Sequence, residues 1–77
     1  MENQLQKEYY KFLNAGKFLN ISKKKINKIM RDKAEELSSF PKFNATKYWI
    51  LSFYNRKNIN VDLDSKNMKA LLRNTNS

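Results

Sequence analysis

Apolar residues return with the period of an α-helix in successive runs of this chain, and no alternating apolar pattern of convincing length competes with them. An all-α fold follows. Leu5, Tyr9, Phe12 and Leu13 fall at i, i+4, i+7 and i+8, one face of an amphipathic helix from Glu2 to Ala15. Gly16, the only glycine, comes where a left-handed C-terminal cap is wanted. Residues 17 to 21 connect, with Phe18 and Leu19 expected to drop into the core. Ser22 then offers an N-cap, and Ile21 and Ile26 stand at the positions of a hydrophobic staple. Ile26, Ile29, Met30, Ala34 and Leu37 carry a second stripe to about Ser38.

Pro41 breaks the pattern, because it cannot continue a helix and pushes Phe40 toward extended geometry. Phe40 and Phe43 are expected to turn inward and tie this loop to the core. A third helix, over about residues 45–57, starts after Asn44 or Thr46, either of which can cap. Phe43 and Tyr48 as a staple favour Asn44. Asn58-Ile59-Asn60 ends it. At roughly 100° per residue, Trp49, Ile50, Phe53 and Lys57 gather on one side, and Lys47, Leu51, Asn55 and marginally Tyr48 on the other. The first side reads as core, with Trp49 and Phe53 as its anchors. The tail suggests a short fourth helix capped by Asp64, with Leu63 and Met68 as its staple and Leu71 and Leu72 on its apolar face. Residues 74–77 are expected to fray. The expected organisation is one domain over residues 1–60, with residues 61–77 forming a C-terminal helix and tail.

With 77 residues the chain has room for one small domain, which buries only about 60% of the surface its unfolded form exposes. It has no cysteine and no histidine. Disulfides, thiolate metal sites, zinc fingers and histidine-based catalysis are excluded, and no cofactor is expected. Seven acidic residues, none paired in a pocket-forming context, argue against an enzyme. Sixteen Lys and Arg give a net charge of +9 and a pI near 9.9, the footprint of a polyanionic partner. Eleven asparagines and thirteen lysines fit an A- and T-rich coding bias, so the shortage of acids carries more weight than the lysine count. No run is long enough for a transmembrane helix, and the start lacks the apolar stretch of a signal peptide, so an intracellular protein without membrane association is expected.

The order of helices, with tryptophan on the third, is a homeodomain-like three-helix helix-turn-helix layout. Phe43, Ala45, Thr46, Trp49, Ile50, Phe53, Arg56, Asn58 and Ile59 sharpen it. This segment resembles the CENP-B-type helix-turn-helix domain of centromere protein B and the pogo group of transposases. That family reads Phe, any residue, Ala, Ser, two residues, Trp, Leu, two residues, Phe, two residues, Arg, then His, Asn and Ile. Met30 to Leu37 looks like the helix the family carries upstream. Ser22 to Asn60 is covered well and Leu5 to Ala15 loosely. Thr46 stands for the usual Ser and keeps the capping hydroxyl, which under the resemblance favours a start at Thr46. Tyr48 stands where a small residue is common, and Lys57 replaces a frequent His.

The resemblance implies sequence-preferring binding of double-stranded DNA with the third helix in the major groove. It also implies a transposase-derived origin and residence in the nucleus in a eukaryote, or otherwise a cytoplasmic, DNA-associated protein. Lys47, Tyr48, Leu51 and Asn55 form the reading face: Asn suits adenine, Lys suits guanine, and an apolar side chain suits a thymine methyl. Thr46 and the first N–H groups of the helix suit a phosphate. Arg56 either reaches the DNA backbone or pairs with Asp32, Glu35 or Glu36. Lys23, Lys24 and Lys25 oppose the helix dipole. They are either phosphate contacts, joined by Lys28, a nuclear-localisation patch, or a solvated first turn. The alternative is a small basic protein-interaction module, docking a partner or a second copy through residues 63–72.

Overall fold

The computed structural model describes residues 1–62, which form three helices: α1 (Glu2–Asn14), α2 (Lys23–Leu37) and α3 (Lys47–Arg56). No strand occurs among the described residues, which are all-α. Val61 and Asp62 are helical, ahead of the Asp64 expected to cap a fourth helix; Asp64, the rest of that expected helix and the frayed end lie outside the described residues.

Each helix starts and stops for a local chemical reason. In α1 the chain closes a full Schellman motif: Gly16 N–H donates to Leu13 C=O at 3.1 Å and Lys17 N–H to Phe12 C=O at 3.0 Å. Gly16 sits at φ +75°, a left-handed conformation that suits glycine. The Lys17 ammonium lies 5.2 Å from the Phe12 ring centre, covering the same turn. In α2 the Ser22 hydroxyl accepts from Lys25 N–H at 3.2 Å. In α3 the cap is Thr46, whose hydroxyl accepts from Trp49 N–H at 3.2 Å, so Asn44 is not the start. Asn58 ends α3 at φ +56° in a second Schellman motif, with Ile59 N–H donating to Tyr54 C=O at 2.8 Å. Asn tolerates that conformation better than other side-chain-bearing residues.

The core draws on every element: Leu5 and Tyr9 from α1, Phe18 from the connector, Ile26, Met30 and Ala34 from α2, and Ile50, Phe53 and Tyr54 from α3. Ala45, Ile59 and Val61 complete it from the loops and the end of the described chain. The Tyr9 ring meets Phe18 at 5.4 Å and Tyr54 at 6.2 Å, linking α1 to α3. Phe53 is fully enclosed, whereas Trp49 is only half-buried, stacked on Phe53 on one side and edge-on to Phe43 on the other. Trp49 therefore roofs the core rather than anchoring it.

Three further sequence expectations give way here. Leu19 stays half-exposed outside the core cluster while Phe18 enters it. Phe40 is 74% exposed, because the Ser38 hydroxyl accepts Phe40 N–H at 3.1 Å and holds the backbone in a tight turn that points the ring outward. Arg56 pairs with none of Asp32, Glu35 or Glu36; it forks onto Glu2, with both nitrogen–oxygen distances 3.1 Å. The sequence pattern also left Tyr54 without a role, and it is buried.

The α2–α3 connection, residues 38–46, is longer than the three- to four-residue turn of a helix-turn-helix. It is fixed at its far end by α2 itself. Ala45 N–H donates to a Glu35 carboxylate oxygen at 2.9 Å, and Ala45 C=O accepts from Arg31 Nε at 2.8 Å. The Ala45 methyl is fully buried, so a larger side chain would force the loop off α2. This clamp sets where α3 begins.

Candidate nucleic-acid interface

Two rows of side chains face each other across the space between α2 and α3. Lys23, Asn27 and Arg31 recur every four residues on α2, one step round the helix from the buried row Ile26, Met30 and Ala34. Lys47 and Leu51 recur likewise on α3. Between the rows lies an open groove of about 500 Å³, lined by these residues and Lys24. A smaller hollow of about 250 Å³ shares Lys23 and Leu51 with it and runs on to Tyr54, Asn55 and Asn60.

The charged groups lining the main groove are all cations: Lys23, Lys24, Arg31 and Lys47. Lys23 has a carboxylate nearby, that of Asp62 at 3.5 Å. Lys24, Arg31 and Lys47 make no ion pair among the described residues. Most of the acids are engaged elsewhere: Glu2 with Arg56, Asp32 with Lys28, Glu36 with Lys33, and Glu35 with the Ala45 backbone. A concave surface lined by one sign of charge concentrates counter-ions of the other.

Two buried polar atoms have no hydrogen-bond partner among the described residues, Asn27 Oδ1 and the Tyr54 hydroxyl. Both belong to residues that line the groove or the hollow beside it. Burial pushes the Tyr54 phenol well above its ordinary pKa of 10.0, because the anion would lose its water.

The structure sorts the residues singled out from sequence. Lys23, Lys24, Lys47 and Leu51 meet in the groove, and Asn55 stands at the end of the hollow. Leu51 is half-buried against the core, which accounts for an apolar residue on this side of α3. Tyr48 is 81% exposed and projects from the outer face of α3 rather than into the groove. Thr46 is occupied as the cap of α3. Lys25 is exposed but does not line the groove, and Lys28 is bound to Asp32 at 3.1 Å. Arg56 is held by Glu2 at the opposite end of α3, with Lys57 beside it donating to Asn3 at 2.9 Å.

Asn27 and Arg31 were not singled out. Their signal was available: counting in fours from Lys23 reaches both, on the flank of the buried stripe. Among the described residues no group of three Asp or Glu is placed to hold a metal, and no helix is long and apolar enough to cross a membrane. Comparison with known proteins finds no matching family model, no matching curated protein and no matching solved structure.

Proposed function

We propose that the protein binds double-stranded DNA, with the α2–α3 groove seated on the phosphate backbone and the outer face of α3 turned to the base edges. The single observation that carries the reading is the convergence of Lys23, Lys24, Arg31 and Lys47 on one groove. Three of the four have no acidic partner among the described residues. Such a surface has high affinity for a regular array of phosphates, and releases counter-ions when it binds. Beside it, exposed Tyr48 and Asn55 supply groups suited to base edges. The resemblance of Phe43 to Ile59 to CENP-B-type helix-turn-helix domains supports the same reading, and with it a homeodomain-like placement of α3 in the major groove.

The testing experiment is selection from a random duplex pool at near-physiological salt with competitor DNA present. A short recovered consensus, lost on Asn55→Ala, is the expected result. Binding that fades with salt and yields no consensus would remove base reading and leave only a basic surface. The competing reading, a protein-docking face over residues 63–72, lies outside the described residues.

A further inference from the structure

We infer that Arg31 is a pre-oriented phosphate fork in the wall of the α2–α3 groove, making one fixed contact where the lysines around it make mobile ones. The inference deepens the DNA-binding reading and takes its ligand class, a phosphate group, from it.

Arg31 differs from its neighbours in being tethered. Its Nε donates to Ala45 C=O at 2.8 Å, and that carbonyl belongs to a fully buried residue whose N–H is itself held by Glu35. The tether fixes the plane of the guanidinium. The two terminal nitrogens make no hydrogen bond among the described residues, and Arg31 lines the groove. A planar fork with unused donors matches two oxygens of a phosphate, and holding it in advance lowers the ordering cost of binding. Lys24 and Lys47 are exposed and carry point charges on flexible stems. They attract a phosphate without fixing its position.

The same arginine joins two functions. It holds the residue immediately before the α3 cap, so a phosphate on its outer edge is registered against the first turn of α3. Sequence alone hides this, because Arg31 and Ala45 are fourteen residues apart.

The test is the slope of log binding constant against log salt for a duplex DNA, measured on the full chain and on Arg31→Gln. A lost phosphate contact makes the slope shallower by about 0.9. A purely structural role, acting through Ala45, would weaken binding by the same factor at every salt concentration and leave the slope unchanged; that result overturns the inference. Should Arg31→Gln fail to fold, Arg31→Lys decides. It keeps the charge but cannot hold Ala45 and a phosphate together, so several-fold weaker binding at an unchanged slope, with the Ala45 amide signal unmoved, is expected; wild-type affinity, or weaker binding with the Ala45 amide signal displaced, overturns the inference. Inorganic pyrophosphate, titrated while amide and arginine side-chain NMR signals are followed, separates the two levels. Shifts at Arg31 and Lys47 without duplex binding would end the DNA reading and keep the fork. Duplex binding with no shift at Arg31 in either titration would end the fork and keep the DNA reading.

Discussion

The two ends of α3 treat positive charge in opposite ways. At its C-terminal end Arg56 forks onto Glu2 and Lys57 donates to Asn3, so the cations there stitch α3 to the start of α1. At its N-terminal end Lys47 faces Lys24 and Arg31 across a groove, with no carboxylate paired to any of the three among the described residues. The first arrangement also satisfies helix dipoles, with an acid in the first turn of α1 and a base in the last turn of α3. The second opposes them, since α2 and α3 both begin with lysine. Paired charge is used inside the fold; unpaired charge against the dipole is placed where an external anion can relieve it.

The largest effect comes from removing what both ends stand on. Phe53→Ala empties a fully enclosed site and should cost about 3–5 kcal/mol, comparable to the whole stability of a domain this small. Thermal melting followed by circular dichroism would then show little cooperative transition. Trp49→Ala should cost visibly less, because the ring is half-exposed; equal losses would show that Trp49 is an anchor after all.

The comparison itself is broken or sharpened by matched charge removals. Lys47→Gln should make the salt slope of duplex binding shallower by about 0.9, the value for one phosphate. Arg56→Gln should leave that slope unchanged and lower stability by no more than about 1 kcal/mol, since the pair is solvent-screened despite its forked geometry. A slope loss in Arg56→Gln equal to that of Lys47→Gln would erase the distinction between the two ends.

Tyr54→Phe probes the groove side without touching charge. It deletes a buried hydroxyl that lacks a partner among the described residues, and should raise stability by up to about 1 kcal/mol. Urea denaturation would read the change; a loss instead would mean that the hydroxyl is bonded in solution. The pH dependence has a definite sign. The folded-state pKa of Tyr54 is raised, so its ionisation leaves stability untouched below the unfolded value of 10.0 and erodes it as pH climbs beyond that. Tyr54→Phe should flatten this alkaline decline relative to wild type, the smallest of the effects.

Much of this fold was legible in advance, because its signals are local. Gly16 and Asn58 mark helix ends through their own backbone preferences, Ser22 and Thr46 mark starts through a hydroxyl three residues from its N–H partner, and the apolar stripes name most of the core. Phe40 misled because hydrophobicity argues for burial, while the turn begun at Ser38 fixes the ring's direction regardless of its chemistry. Arg56 misled because Asp32, Glu35 and Glu36 were the plausible partners, while the acid that holds it, Glu2, is fifty-four residues away. Lys23 and Lys24 were recognised as part of one basic run and Lys47 as part of the α3 face; nothing in the sequence says that the two meet across a groove.

The sequence by itself determined that the described chain is helical, where α1 and α2 begin and end and where α3 ends, and that its surface is strongly basic, since each depends on residues within a turn or two of one another or on composition. Only the tertiary structure decided which cations are neutralised and which are not. That choice rests on the Ala45 clamp and the Glu2–Arg56 pair, contacts between distant residues that exist only once α1, α2 and α3 have packed.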